Sequence, residues 1–386
     1  MAEKKRIIVS VTNDLFTDQR VRKVCEFLVE NNFDVTLVGR LLPSSQSMPN
    51  LPYKTRRFRL LFKKGPLFYA SYNMRLFRYL LFKKADVLLS NDLDTLLANH
   101  WARKFKSNCQ LIYDSHELYC ETPELVDRPK VQRFWKRIER KCLPKVDQMY
   151  TVNASIAEIY SKEYNRQVSV VRNIGDKQKV ELSKSKEELG LPTDKKIVIM
   201  QGAGINIQRG AEEMIEAIQK VDNAFLAIVG DGDVVPELKT TVAENNWNNK
   251  VKFFGKRPYE ELLQFTMLSD VGVSMDKDTN PNYRYALGNK VFDYINSATP
   301  LFVSNLPEIA RIVNDYQIGV VCPSHDVDVI AHHLSEMLDD EIEYAKMVEN
   351  TKKAASELSW ENEKEVLKSI YLETNTLGTE RSRSAN

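Results

Sequence analysis

The sequence predicts an α/β protein made of two doubly wound domains, and three observations support that fold class. The chain has 386 residues, a length typical of two or three domains, and 43% of them are apolar, which is enough for substantial cores. Two segments, starting at Lys5 and Lys196, each read as strand, polar loop, helix and strand. A highly charged segment, residues 175–193, lies between them and is the predicted linker.

The first predicted domain covers residues 1–174. It opens with a buried-type strand at 5–11, a helix at 20–31 and a second strand at 33–38. The loop after the first strand is polar and lacks the glycines of a dinucleotide-binding loop, which argues against an NAD enzyme. Further strands are predicted at 86–90, 110–113, 148–152 and 168–171.

A basic and aromatic stretch lies within this domain. Residues 51–85 contain ten Lys or Arg side chains and no Asp or Glu. Residues 74–84 have amphipathic helical spacing, which suits a helix lying on an anionic membrane surface. Two alternatives stay open, namely an ordinary surface helix with a solvated basic face and a nucleic-acid contact. We expect the membrane contact and no nucleic-acid partner.

The second predicted domain covers residues 190–359. Its first strand, 196–200, leads into a glycine-rich loop that ends in Arg209-Gly210. Such a loop suits a diphosphate, because backbone N–H groups approach closely and a guanidinium can bind two oxygens. Further strands are predicted at 225–229, 251–254, 270–274, 301–303 and 318–322.

Residues 280–308 combine two features that bind ligands in open α/β sheets. A helix is predicted at 290–297, opened by Gly288-Asn289, and a strand follows at 301–303. Bare backbone N–H groups at the helix start can meet a phosphate. Asp293, on the predicted first turn, is a candidate to hold a sugar hydroxyl.

These segments resemble a known family. Residues 289–294, the turn before Pro300 and Leu306-Pro307-Glu308 are similar to the donor-binding segment of family 4 retaining glycosyltransferases (glycosyl transferases group 1). The similarity continues in Asp18-x-Arg20, in residues 114–117 and in Arg209-Gly210. It implies the GT-B architecture, two Rossmann-like domains facing across a cleft. It also implies that the last helix, 360–373, returns to the first domain, while residues 374–386 are predicted to be a disordered tail.

The pattern and the resemblance together predict the site residues. The predicted catalytic residues are His116 and Asp293. The predicted donor-binding residues are Gly202, Gly204, Arg209, Gly210, Gly230, Gly232, Lys256, Asn282, Tyr285, Gly288, Asn289, Lys290 and Asp293. The predicted acceptor or membrane side contains Asp18, Arg20, Arg75, Arg78, Lys83 and Lys84.

The chain departs from the family pattern at two positions. The family signature is a Glu, seven residues and a second Glu; the first falls on Tyr285 and the second on Asp293. A basic residue often follows the first loop glycine, and here that residue is Ala203. We expect the missing phosphate cation to be supplied by Lys290, Lys256 or Arg257.

The implied function is transfer of a sugar from a UDP- or GDP-sugar to a saccharide or lipid-linked glycan acceptor, in surface polysaccharide or glycan biosynthesis. The resemblance implies a retaining, metal-independent reaction without a cofactor. Asp92-Leu93-Asp94 has the letters of a metal-binding Asp-x-Asp motif but lies in the first domain, so we discount it. The main alternative is a catalytically silent GT-B protein that binds nucleotide or glycan and scaffolds a partner. A third reading is a sugar-nucleotide isomerase.

The sequence also suggests a compartment. It has no apolar run near the ~18 residues of a membrane helix and no signal-peptide pattern at the N-terminus. The five cysteines are scattered, so neither a disulfide framework nor a zinc site is indicated. We expect a cytoplasmic protein, peripheral at the inner face of the cell membrane.

Overall fold

The computed structural model describes residues 4–16, 18–175 and 180–373. The chain divides into two compact units, Met1–Arg172 with Lys364–Asn386, and Asn173–Glu363. Part of the predicted linker, residues 176–179, and the predicted tail, 374–386, lie outside the described residues.

Unit 1 is built on a seven-stranded sheet in which every neighbouring pair is parallel. Its strands are β1 (Lys5–Asp14), β2 (Phe33–Leu41), β3 (Lys54–Arg59), β4 (Val87–Asn91), β5 (Gln110–Ser115), β6 (Gln148–Thr151) and β7 (Ser169–Val170). Their order across the sheet is β3-β2-β1-β4-β5-β6-β7, as in a doubly wound fold. The helices of this segment are α1 (Gln19–Glu30), α2 (Gly65–Phe82), α3 (Leu93–Arg103), α4 (Pro123–Val126), α5 (Pro129–Cys142) and α6 (Ala154–Tyr164).

Unit 2 repeats the plan with six parallel strands in the order β10-β9-β8-β11-β12-β13. These strands are β8 (Lys196–Gly202), β9 (Ala224–Gly230), β10 (Val251–Phe253), β11 (Val271–Ser274), β12 (Leu301–Ser304) and β13 (Gly319–Cys322). The helices are α7 (Lys186–Leu189), α8 (Ala211–Ala217), α9 (Val235–Glu244), α10 (Tyr259–Met267), α11 (Pro281–Arg284), α12 (Asn289–Asn296), α13 (Pro307–Tyr316), α14 (Val327–Asp339) and α15 (Glu341–Glu357).

The last helix, α16 (Trp360–Tyr371), joins unit 1 from Lys364 onward. Its final side chain, Tyr371, exchanges a 3.1 Å hydrogen bond with the Tyr150 hydroxyl of β6. The Tyr371 ring also lies 6.4 Å from Phe27 and 6.3 Å from Phe33, centroid to centroid. Most of α16 therefore packs in unit 1, together with the first strands and helices of the chain.

The basic stretch differs from its sequence prediction. Residues 54–59 form β3, an edge strand paired with β2, which the dense charges had concealed. The following helix, α2, begins at Gly65 rather than at residue 74, because Pro66 fits the first turn of a helix. Among the described residues, no helix combines the length and the apolar character that a membrane span needs.

Three helices begin near the predicted sites. Helix α3 begins at Leu93, so Asp94 lies in its first turn. Residues 281–284 form the short helix α11, which Asn280 caps by accepting a 2.9 Å hydrogen bond from the Tyr283 N–H. Helix α12 begins at Asn289, so Asp293 lies on its second turn instead of its first.

Candidate functional site

Two predicted donor residues of unit 2 meet at one carboxylate. Arg209 Nη1 lies 3.0 Å from Asp276 Oδ2, and Lys290 Nζ lies 3.9 Å from Asp276 Oδ1. Arg209 lies near the end of the loop after β8, Asp276 follows β11, and Lys290 is the second residue of α12. Of the three candidate cations from the sequence, Lys290 thus lies beside Arg209, and its role in phosphate binding stays a prediction. One negative charge faces two positive charges, so the cluster carries a net positive charge.

The Arg209–Lys290 cluster has unused binding capacity. Arg209 stacks its guanidinium 4.2 Å above the Tyr283 ring of α11, and its buried Nε has no hydrogen-bond partner. Burial is the main cause that lowers the pKa of Lys290; Asp276 opposes the shift and the Arg209 charge adds to it. A bound anion would offset the repulsion between the two cations, because it would attract both of them. It could also accept a hydrogen bond from Arg209 Nε.

Asp276 was missed by the sequence analysis. Its side chain is 9% exposed; Oδ2 pairs with Arg209, whereas Oδ1, 3.9 Å from Lys290 Nζ, has no hydrogen-bond partner. The only available signal was its position, two residues beyond the end of a buried strand, where polar side chains of parallel sheets gather. Nothing in the local sequence shows that Arg209 and Lys290 would converge on it.

The predicted donor glycines divide into two groups. A Cβ on Gly230 would lie 1.8 Å from the Gly202 carbonyl oxygen, one on Gly232 1.9 Å from the Ile205 oxygen, and one on Gly210 2.3 Å from the Met275 oxygen. Those three glycines are therefore required by loop packing. A Cβ on Gly204, in contrast, would meet nothing closer than 3.9 Å, so space next to Gly204 is free for a ligand.

The predicted catalytic residue Asp293 is hydrogen-bonded to two neighbouring elements. Its Oδ1 accepts a 2.7 Å hydrogen bond from the Tyr259 hydroxyl, and its Oδ2 accepts one of 3.1 Å from Gln201 Nε2. The side chain is buried. Each carboxylate oxygen thus accepts one hydrogen bond, and Asp293 joins α12 to α10 and β8. Its catalytic role stays a prediction.

The other predicted donor residues lie at the periphery. Lys256 is 69% exposed, and its Nζ lies 3.3 Å from Asp231 Oδ2. It therefore pairs with a different carboxylate from the one that Arg209 and Lys290 share. Asn282 lies within α11 and Tyr285 is its C-cap, with Arg284 6.0 Å from the Tyr285 ring centre. Gly288 is the N-cap of α12, followed by exposed Asn289, and no side chain caps that helix start.

In unit 1, the predicted His116 is held on both sides by carboxylates. Its backbone N–H donates to Asp92 Oδ1 at 2.9 Å, its ring Nδ1 lies 3.2 Å from Asp92 Oδ2, and its Nε2 lies 3.3 Å from Asp114 Oδ2. Asp114 also accepts two hydrogen bonds from Arg20, from Nη2 at 2.7 Å and from Nε at 3.0 Å. The result is a continuous chain Arg20–Asp114–His116–Asp92 at the carboxyl ends of β4 and β5.

The charges of this chain follow from its geometry. Burial lowers the pKa of His116, but the carboxylates of Asp92 and Asp114 outweigh it and raise that pKa to about 9. Burial raises the pKa of Asp114, but Arg20 and His116 outweigh it and lower that pKa to about 2. The two carboxylates therefore favour the cationic form of His116 at neutral pH.

Asp92 and Asp94 were discounted in the sequence analysis, and the structure brings both to this site. Asp92 adopts a left-handed φ of 55°, a strained conformation for a non-glycine residue. Asp94 accepts a hydrogen bond from the Thr12 hydroxyl. Burial, with the charge of Asp92 as a second cause, raises the pKa of Asp94 to about 7. A carboxyl poised near neutrality beside a pocket is a recurrent feature of functional sites.

Asp92 and Asp94 line a large cavity that lies wholly within unit 1. Its volume is about 1290 Å³ and its wall is mainly apolar. Trp135 is at the centre of an aromatic group, with ring centroids 5.1 Å from Tyr69, 5.3 Å from Tyr119 and 5.6 Å from Phe134. The basic residues of the wall are Arg40, Lys63, Lys64, Arg78 and Arg128.

The predicted acceptor or membrane residues are not equivalent. Arg20 is buried, and besides Asp114 it donates to the Val171 carbonyl at 2.9 Å, so it cannot contact a membrane or an acceptor directly. Asp18 caps α1 by accepting from the Val21 N–H at 3.2 Å, and it also lines the cavity. The four remaining basic residues are exposed: Arg75, Arg78, Lys83 and Lys84. Within the described ranges, no group of three or more His, Cys, Asp or Glu side chains is arranged to hold a metal ion.

Comparison with known families decides the classification. Residues 159–354 match the model of glycosyl transferases group 1, and residues 18–178 match that of glycosyltransferase family 4. The chain belongs to the glycosyl transferases group 1 family. The family resemblance read from the motifs is thereby confirmed, together with the α/β fold class.

Individual relatives of this group 1 chain are distant. A D-inositol 3-phosphate glycosyltransferase of Corynebacterium efficiens is 24% identical over 203 residues, which cover 50% of this chain and 46% of that protein. An alpha-D-kanosaminyltransferase of Streptomyces kanamyceticus is 24% identical over 169 residues, covering 43% and 42%. The chain thus spans less than half the length of these relatives.

Solved structures match over nearly the whole chain. Sucrose-phosphate synthase of Thermosynechococcus elongatus has a TM-score of 0.78 at 18% identity, covering 97% of this chain and 100% of that one. HepE of Anabaena in complex with UDP-glucose has a TM-score of 0.70 at 14% identity, covering 97% and 99%. At such identities the likeness shows the fold, which is the two-sheet fold of GT-B glycosyltransferases.

Proposed function

We propose that this protein transfers a sugar from a nucleotide-diphosphate sugar to a glycan acceptor. The observation that carries the proposal is the Arg209–Lys290 pair, with one shared carboxylate and an unpartnered buried Nε. Sugar transfer requires that the charge of the leaving diphosphate be held while the glycosidic bond breaks. Two cations and the uncapped start of α12 supply that charge stabilisation from the protein itself, which favours a metal-independent reaction.

The nucleotide and the stereochemistry belong to the same proposal. HepE, a structural neighbour, is described with UDP and with UDP-glucose, so a UDP-sugar is the first candidate donor and a GDP-sugar the second. We propose a retaining reaction in which the leaving diphosphate accepts the proton of the acceptor hydroxyl on the same face. In that scheme no protein nucleophile is needed, which agrees with the engagement of both Asp293 oxygens.

We propose that the cavity of unit 1 receives the acceptor. Asp94, with a pKa of about 7, can accept a hydrogen bond from a sugar hydroxyl. Burial raises the pKa of neighbouring Asp92, and the charge of His116 opposes that rise. The aromatic wall around Trp135 is too large and too apolar for a bare monosaccharide. It suits a saccharide carried on an apolar group, such as a lipid-linked glycan of surface polysaccharide synthesis.

A lipid-linked acceptor would bring the protein to a membrane. Exposed apolar side chains on α2 and after α3 include Phe82 at 80%, Phe105 at 69% and Met74 at 65% exposed. Exposed Lys83 and Lys84 follow directly after α2. This mixture of apolar and basic groups suits peripheral contact with an anionic surface, and we propose the inner face of the cell membrane.

A second candidate is a catalytically silent nucleotide- or glycan-binding scaffold. It is favoured by the replacement of the first family glutamate by Tyr285, by Ala203 in the phosphate loop and by the buried bonds of Asp293. In such a protein the Arg209–Lys290 cluster would still bind a nucleotide.

One experiment separates the two candidates. A thermal-shift screen with UDP, GDP and their sugar conjugates first identifies the nucleotide, because a ligand that binds the folded state raises the Tm. Release of nucleotide from the stabilising conjugate, with and without glycan acceptors, is then measured. Stabilisation with acceptor-dependent release supports the transferase, and stabilisation without any release supports the scaffold. If no conjugate stabilises the protein, the donor site is wrong.

A further inference from the structure

A second pocket of unit 1 lies far along the strands from His116. It is an open pocket of about 560 Å³, lined by His100, Arg103, Lys104, Lys106, Asn108, Cys109 and Lys145. Residues 108 and 109 directly precede β5, whereas His116 follows the end of that strand. The pocket is therefore at the amino ends of the strands, away from the proposed acceptor cavity.

The pocket wall is strongly basic. Arg103 is paired with Asp147 at 2.7 Å and also donates to the carbonyls of Cys109 and Lys145. Among the described residues, no carboxylate pairs with Lys104 or Lys145. The seven lining residues include four cations and no carboxylate. Unbalanced positive charge around a concavity favours an anion.

His100 is the anomaly in this pocket. Its side chain is 2% exposed, and neither ring nitrogen has a hydrogen-bond partner. Burial lowers the pKa of His100 to about 4, and the charges of Lys104, Lys145, Lys141 and Arg103 add to this effect. A buried imidazole with both nitrogens unsatisfied is costly, and such a group calls for an explanation.

Helix electrostatics explain only part of this cluster. Basic residues in the last turn of a helix complement its dipole, which accounts for Arg103 and Lys104 at the end of α3. Lys145, in contrast, belongs to the 3-10 turn before β6. A second element therefore turns a cation toward the same pocket, and the helix dipole gives no reason for that.

We infer that this pocket binds a phosphate-class dianion, from a free phosphate compound or a lipid headgroup, and that His100 takes up a proton when the anion binds. The anion would offset the surrounding cations and thereby favour the imidazolium. Because binding then raises the pKa of His100 from about 4 toward its ordinary value, affinity should increase as the pH falls.

The first test measures binding of inorganic phosphate to the full chain by calorimetry at low ionic strength. The variant Lys104→Gln with Lys145→Gln removes two exposed charges of the pocket. We expect it to bind at least tenfold more weakly than the wild type. The matched control is Lys352→Gln with Lys353→Gln, which removes two exposed charges from α15. Equal weakening in both variants, or no binding by the wild type, would overturn the inference.

The second test uses sulfate, whose own charge is constant between pH 7.5 and 5.5. If binding restores the pKa of His100 to 6.5, affinity rises about tenfold across that interval. His100→Gln should abolish the rise and keep comparable affinity at pH 7.5. A rise of the same size in His100→Gln would refute proton uptake by His100.

The source of the dianion is decided by vesicle binding. Phosphatidic acid vesicles present a phosphomonoester, whereas phosphatidylcholine vesicles do not. If the source is a lipid, the Lys104/Lys145 double variant loses binding to phosphatidic acid vesicles and the Lys352/Lys353 control does not. If the source is a free phosphate compound, both variants bind the vesicles as the wild type does, while phosphate binding differs between them. Loss in both variants would contradict a specific pocket.

Discussion

Asp114 shows at the scale of one residue how unit 1 keeps a charge in its interior. The side chain is fully buried, yet three donors reach it, two from Arg20 and one from His116. Burial alone would raise the pKa of this carboxyl, and the two cations instead lower it to about 2. A buried ion of this kind is tolerated only while its partners remain, so Arg20 is a positioning residue for His116.

The pH dependence of stability tests the charge on His116. Its pKa of about 9 in the folded protein exceeds the ordinary value of 6.5, so its stabilisation is fully present below pH 6.5 and is lost as the pH rises through 9. We expect His116→Gln to lower the free energy of unfolding by on the order of 2 kcal/mol at pH 6, and by clearly less at pH 9.5. Chemical denaturation across this range measures the difference.

The matched control for that experiment is His332→Gln, since His332 is exposed on α14. Its difference from the wild type at pH 6 should be much smaller than that of His116→Gln. If His116→Gln differs from the wild type by a constant amount across the pH range, the carboxylates do not hold His116 as a cation.

At this scale the sequence predicted single residues better than their partners. Arg209 and His116 were singled out because short motifs mark them, and both lie in charged clusters. Asp276 and Asp92 were missed because each meets its partner through a different strand of the sheet, and that convergence is a property of tertiary structure. Asp293 was singled out by its motif, but its hydrogen bonds were not predictable, because Tyr259 and Gln201 lie 34 and 92 positions away in the sequence.

At the scale of elements, the loops after β8 and β9 are held together by glycines. Gly232→Ala would place a methyl group 1.9 Å from the Ile205 carbonyl oxygen, which forces the backbone to move. We expect a loss of about 1–3 kcal/mol in the free energy of unfolding, measured by urea denaturation. Gly204→Ala is the matched control, because its methyl group has free space, and it should cost less than about 1 kcal/mol.

The same pair separates packing from ligand contact. If the diphosphate approaches the backbone at Gly204, Gly204→Ala should weaken nucleotide binding while stability is nearly unchanged. A Gly232→Ala protein as stable as the wild type would show that the two loops can separate without cost, contrary to their close packing.

Helix α2 illustrates both success and failure of prediction for an element. Its helical spacing was recognised, since Tyr72, Leu76 and Leu80 are buried on one side. The preceding strand β3 was not recognised, because four of its six residues, KTRRFR, are basic and an edge strand has only one paired side. The basic residues of this segment were interpreted as a solvent-exposed surface, and the strand that they form was therefore not predicted.

Membrane contact can be tested on the residues that follow α2. We expect Lys83→Gln with Lys84→Gln to weaken binding to phosphatidylserine-containing vesicles about tenfold or more at low salt, since each basic residue near such a surface contributes about 1 kcal/mol. Vesicle sedimentation measures the change, and the Lys352/Lys353 double variant is the control. Unchanged binding in the Lys83/Lys84 variant would reject this surface as the membrane contact.

At the scale of the whole molecule, the plan of the chain was readable from the sequence. Two runs of buried strands alternating with helices predict parallel sheets, and both sheets are parallel throughout the described residues. The structure divides the chain at residue 172, beside the predicted boundary at 174, and returns to unit 1 at Lys364. The cavity around Trp135 had no sequence signal, because its wall combines residues from four helices and several loops.

The two units should fail in different ways when their sites are damaged, if the proposed division of labour is right. Arg209→Gln removes a cation from the Arg209–Lys290 cluster, so it should weaken binding of the stabilising nucleotide by at least tenfold. Asp92→Asn leaves that cluster intact but removes the charge beside His116 in unit 1. It should leave nucleotide affinity within about twofold and lower kcat for transfer by at least about a hundredfold.

Calorimetry measures the nucleotide affinity, and acceptor-dependent nucleotide release measures kcat for transfer. Lys352→Gln, at an exposed position on α15, should change neither. If Asp92→Asn weakened nucleotide binding as much as Arg209→Gln, or if transfer were unaffected, the acceptor chemistry would not reside in unit 1.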